Sequence, residues 1–132
     1  MKWIAGIAMC ALWASAQTIS MEQSLNLNTV TTAHISPDGR FVAYTVQETD
    51  WDQNEFITQI WIRATDGGDA QRLTYGKRSS SAPRWSPDSR RIAFASARDG
   101  KRQIYVIPAS GGEAYQLTHE EREIGFFDWS PD

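Results

Sequence analysis

An all-β fold built from repeated four-stranded units is what this sequence predicts, and three observations carry the prediction. The phrase Ser-Pro-Asp occurs at Ser36-Pro37-Asp38, Ser86-Pro87-Asp88 and Ser130-Pro131-Asp132. Proline presets φ at the first corner of a tight turn, and the aspartate bonds its own backbone at the second. β-like runs flank the complete phrases, as with Ala82-Pro83-Arg84-Trp85 before the turn and Ile92-Ala93-Phe94 after it. Other landmarks recur 44 residues apart: Ile60-Trp61-Ile62 with Ile104-Tyr105-Val106, Gly67-Gly68 with Gly111-Gly112, and Leu73-Thr74 with Leu117-Thr118. A sentence repeated at this period belongs to a repeat architecture.

Taken in order, the chain opens on Met1-Lys2 and an apolar run from Trp3 to Trp13. The run is too short to span a bilayer. Ala14-Ser15-Ala16 fits a small-x-small cleavage site, so residues 1–16 read as a signal peptide cut before Gln17. Contact with a membrane is then transient, and the protein is exported, periplasmic or secreted. Cys10 is the single cysteine and would leave with the signal, so the mature chain has neither a disulfide nor a thiolate metal site. Residues 17–30 read as a leader with a short helix, in which Ser20 and Gln23 could form a capping box.

The repeats occupy 31–132, with units at about 31–75 and 81–119 and a third beginning near 125. Strands are expected over 32–36, 41–48, 57–64 and 70–74, then over 82–86, 91–97, 103–109 and 114–118. The turn Arg98-Asp99-Gly100-Lys101 between two β runs is a hairpin signal. Four short antiparallel strands in a unit of this length make a β-propeller blade. The prediction is therefore a partial β-propeller: two complete blades and the start of a third. Helical solenoids need helix-period segments, which are missing, and an immunoglobulin-like sandwich does not repeat one sentence. Apolar residues on both strand faces, as in Ile104-Tyr105-Val106-Ile107, suit a sheet covered on both sides by neighbours.

The first unit is six residues longer than the second, and the excess falls between Gln47 and Thr58. It produces an acidic loop, Glu48 to Phe56, with two aromatic residues. Insertions in repeats map to loops, and loops carry binding roles. Glu48, Asp50, Trp51, Asp52 and Phe56 are the candidate residues for a substrate gate or a contact with another domain; the alternative is a longer hairpin whose tryptophan packs on its own blade. The net charge of -3 argues against a nucleic-acid partner. The basic stretch from Lys77 to Arg102 reads as solvated loops pairing between blades.

The repeated sentence, Pro-x-Trp-Ser-Pro-Asp, Ile-Ala-Phe, Arg-Asp-Gly-x-x-x-Ile-Tyr, Gly-Gly and Leu-Thr, resembles the propeller repeat of TolB-type proteins. The first copy has Ile35-Ser36-Pro37-Asp38-Gly39-Arg40 after a leader and Glu48-Thr49-Asp50-Trp51 before Thr58-Gln59-Ile60-Trp61. That copy is similar to the start of the propeller in bacterial secreted serine peptidases of the prolyl oligopeptidase family, in the acylaminoacyl-peptidase and dipeptidyl-peptidase branch. The resemblance implies a serine hydrolase acting on peptides, whose propeller caps the active site and restricts access by size. It also implies a hydrolase domain mostly after the propeller, past Asp132. The alternative is a TolB-type periplasmic propeller, a non-enzymatic scaffold for protein partners.

No catalytic residue is placed in this chain. It contains no Gly-x-Ser-x-Gly nucleophile elbow, and neither His34 nor His119 stands beside a partnered serine. His119-Glu120-Glu121-Arg122-Glu123 lacks the second histidine of a zinc-peptidase helix. Asp66-Gly67-Gly68-Asp69 reads as a turn rather than a calcium loop, since its counterpart Ser110-Gly111-Gly112-Glu113 lacks the first acid. No metal and no cofactor is expected. Ser89, where the first copy has Gly39, is expected in a left-handed conformation at a cost of up to ~1 kcal/mol.

Overall fold

The computed structural model describes residues 27–131. The expected signal peptide, and the expected helix up to residue 26, lie outside the described residues. Eight strands follow: β1 (Thr29–Ile35), β2 (Phe41–Asp50), β3 (Glu55–Ala64), β4 (Gln71–Arg72), β5 (Ser80–Trp85), β6 (Arg91–Ser96), β7 (Gln103–Pro108) and β8 (Tyr115–Gln116). They form two antiparallel four-stranded sheets, ordered β1-β2-β3-β4 and β5-β6-β7-β8. Each sheet is one blade. The end of the expected helical leader is strand instead: Thr29-Val30-Thr31-Thr32 is β-branched throughout and pairs with β2.

The Ser-Pro-Asp phrase builds the β1–β2 and β5–β6 turns by the same bonds. Gly39 N–H donates to the Ser36 carbonyl at 2.8 Å, and Ser89 N–H to that of Ser86 at 2.9 Å. Ser36 Oγ donates to Asp38 Oδ1 at 2.6 Å and accepts from Phe41 N–H at 3.0 Å. Ser86 repeats this with Asp88 at 2.6 Å and Arg91 N–H at 2.9 Å. Ser86 is 1% exposed, and its hydroxyl is consumed by the turn. Ser89 has φ +60, the expected left-handed residue. Its hydroxyl also accepts from Asp38 N–H of the first blade at 3.0 Å, a contact that a glycine could not make.

The fourth strands are shorter than expected, two residues each. Beyond them a backbone bond remains, from Leu73 N–H to the Ile60 carbonyl and from Leu117 N–H to the Ile104 carbonyl, both at 2.8 Å, and a side chain takes the reciprocal one. Thr74 Oγ1 accepts from Ile60 N–H at 2.8 Å and donates to Gln59 Oε1 at 2.7 Å. Gln59, fully buried, donates in turn to the Gly76 carbonyl at 3.1 Å. In the second blade Thr118, Ile104 and Gln103 repeat the pattern, and Gln103 donates to the Glu120 carbonyl at 3.0 Å. The buried amide is thus satisfied and ties each blade's third strand to the segment leaving it.

The main core lies between the two sheets. Ala43, Ile60, Ile62 and Leu73 of the first pack against Trp85, Ile92, Phe94, Tyr105 and Ile107 of the second. On the far side of the second sheet, Ile124, Phe127 and Trp129 cover Ala93, Ile104 and Val106. The tryptophan of the repeat joins the blades. Trp85 Nε1–H donates to the His34 carbonyl at 2.9 Å, and Trp129 Nε1–H donates to the Arg84 carbonyl, also at 2.9 Å. His34, Arg84 and Asp128 hold the same position in successive blades, immediately before Ile35, Trp85 and Trp129.

Candidate functional site

The six additional residues of the first blade do not form an open loop. They lengthen a hairpin. β2 and β3 have ten residues each, against six in β6 and β7, and pair in unbroken register from Phe41↔Ala64 to Asp50↔Glu55. Glu48, Asp50 and Phe56 are therefore strand residues, and only residues 51–54 form the turn. The added residues keep the alternation of the flanking strands, so extending the ladder satisfies their backbone groups.

Asp50 organises the tip. Its Oδ1 accepts from Asp52 N–H at 3.0 Å and Gln53 N–H at 3.2 Å, and its Oδ2 from Gln53 Nε2 at 2.8 Å. Asn54 closes the turn at φ +53. The Gln53 side chain, then the Gln53 amide, hold the Asp50 carboxyl below its ordinary range, with a smaller contribution from Lys77. The turn therefore keeps its bonds to a lower pH than an ordinary aspartate would allow.

Glu48, Asp50, Trp51 and Asp52 come together around a concavity of about 390 Å³, closed on one side by Arg72. Arg72 pairs with Glu48 at 3.4 Å, donates to the Thr74 carbonyl at 2.9 Å, and lies over the rings of Trp61 and Tyr75. Phe56 is separated from the other four. It lines a cleft of about 230 Å³ with Lys77, Arg78, Ser79 and Arg102, between the two blades. Trp51 and Phe56 remain 51% and 56% exposed. The hairpin thus has an acidic flank bearing Trp51 and a basic flank bearing Phe56. The basic residues read from sequence as solvated loops converge here with the candidate phenylalanine, because the connection into β5 and the β6–β7 loop meet at this end of the blades.

Tyr105 OH donates to Asp99 Oδ2 at 2.6 Å, and burial, reinforced by Asp99, pushes the phenol up to about 12. The segment 119–123 is not helical. Gly67 and Gly68 adopt positive φ in the turn where Arg63 Nε donates to the Gly68 carbonyl at 2.8 Å. Among the described residues no three metal-ligating side chains converge. Sequence reasoning passed over Gln59 and Gln103, although their 44-residue spacing was available. It also passed over Arg72, whose role depends on the neighbouring strand.

Comparison with known proteins fits this architecture. Residues 55–132 match the family described as the Tricorn protease N-terminal beta propeller domain. The Uncharacterized peptidase YuxL of Bacillus subtilis is 38% identical over 71 residues, which cover 54% of this chain and 11% of that protein. The acylaminoacyl peptidase of Pyrococcus horikoshii shares the fold, with a TM-score of 0.67 at 22% identity over 82% of this chain and 16% of that one. A putative TolB from Agrobacterium tumefaciens superposes with a TM-score of 0.57 at 31% identity, over 73% of this chain and 33% of the other. The chain spans 10–15% of the length of the curated relatives it matches. With two four-stranded blades and more than half of its residues matched, the chain belongs to the Tricorn protease N-terminal beta propeller family.

Proposed function

We propose that the chain is the amino-terminal part of the propeller of an exported serine peptidase of the prolyl oligopeptidase family, in which it acts as scaffold and substrate gate. The observation carrying this reading is the match of a propeller family named for a protease together with a peptidase relative. The chemistry belongs to a hydrolase domain; this chain supplies no nucleophile elbow. Its contribution is the projecting hairpin, whose exposed Trp51 and Phe56 meet the hydrolase domain or incoming peptide. Large side chains at a rim exclude long substrates without touching the reacting bond. A TolB-type interaction scaffold is the second reading, supported by the 31% identity to the putative TolB.

The test uses the full-length gene product. A fluorophosphonate probe should label it at a serine outside residues 17–132, and the exported form should begin at Gln17. The double variant Trp51→Ala, Phe56→Ala should raise turnover of long peptides relative to dipeptide substrates. Absence of any serine labelling, with stable capture of a protein partner, would favour the scaffold.

A further inference from the structure

The first and second blades meet at a contact that depends on a neutral histidine. His34 on β1 and Arg84 on β5 occupy equivalent positions in adjacent blades. Arg84 Nη1 lies 3.1 Å from His34 Nε2. A guanidinium has donors only, so His34 Nε2 must be the acceptor and the proton of the neutral ring must sit on Nδ1. The same Nη1 donates to the Pro83 carbonyl at 3.0 Å, which holds the guanidinium in place. Trp85, next to Arg84, donates to the His34 backbone carbonyl. Side chain and main chain of one residue therefore both anchor the second blade to the first.

We infer that His34 is a proton-sensitive latch between the first two blades. Protonating Nε2 removes the acceptor and sets an imidazolium against a guanidinium that cannot lose its charge. The charged groups acting on the ring are Arg84 from the second blade and Asp128 from the start of the third. Burial is the leading influence, Arg84 adds to it, and both depress the imidazole below its ordinary 6.5; Asp128 opposes them. A depressed pKa in the folded state means that the unfolded chain binds the proton first. The latch is fully closed above the ordinary histidine value and is lost as pH falls through the folded one.

The experiment follows deuterium exchange by mass spectrometry in the full chain at micromolar dilution. Exchange at His34 Cε1–H reports its titration, and backbone amide exchange of β1 and β5, corrected for intrinsic rates, reports the joint. His34 should titrate below 6.5, and protection of β1 should fall across the window between 6.5 and that midpoint. The loss should be about tenfold for each unit by which the histidine is depressed. Arg84→Met should raise the midpoint and Asp128→Asn should lower it, opposite shifts that a merely buried histidine would not give. A His34 midpoint at or above 6.5, or β1 protection unchanged across it, overturns the inference. So does an Arg84→Met variant that leaves the midpoint unmoved. Should Arg84→Met fail to fold, the two wild-type curves and Asp128→Asn decide.

Discussion

Trp85 and Trp61 show how the setting of one residue type sets its worth. The indole N–H of Trp85 bonds the neighbouring blade, whereas Trp61 Nε1 is buried with no partner among the described residues. Trp85→Phe should cost about 1–2 kcal/mol, chiefly the bond and the carbonyl left unpaired. Trp61→Phe should cost less, since a desolvated donor is removed along with some packing. Denaturant midpoints of the two variants test the order; equal losses would show that packing alone matters at both sites. Thr74→Val is the stricter probe of the Gln59 lock. It strips a partner from the buried Gln59 amide and from Ile60 N–H, so a loss of about 1–3 kcal/mol is expected in the same measurement.

At the scale of an element, the hairpin of β2 and β3 is governed by register. A strand shifted by one residue turns every side chain to the opposite face. Thr49 and Asp50 pair with Phe56 and Glu55. Deleting these four residues keeps the alternation of the remaining ladder, and thermal unfolding should then report a change of less than about 1 kcal/mol. Deleting Asp50 alone leaves the two strands unequal and breaks the pairing, so the midpoint should fall clearly further. The hairpin is also where sequence reading was most incomplete. The extra residues were legible from the period, but a broken period cannot say whether they form loop or ladder. Cross-strand pairing decides that, and it also separates Phe56 from Glu48, Asp50, Trp51 and Asp52. The two described Ser-Pro-Asp turns, by contrast, were legible, because the bonds that close them join residues no more than five apart.

For the molecule as a whole, two blades bury the faces they turn to each other and leave others open. Leu27, Val30 and Ile35 of the first blade are exposed, as are Tyr115, Leu117 and Phe126 at the far side. Apolar surface of this kind associates. The signal-free chain, residues 17–132, should therefore sediment as concentration-dependent oligomers. A monomer with one cooperative unfolding transition at high concentration would show that two blades are self-sufficient.

The sequence by itself determined the all-β class, the 44-residue unit, the number of complete blades and the structural role of Ser86 and Asp88. These follow from local turn chemistry and from repetition, both of which are written in linear order. Tertiary structure alone decided that Trp85 reaches the His34 carbonyl, that Ser89 bonds Asp38, and that His34 must stay neutral beside Arg84. Each of these contacts spans at least fifty residues between two sheets. Their partners depend on how one blade is rotated and stacked against the next, a distance and an angle that neither periodicity nor composition encodes.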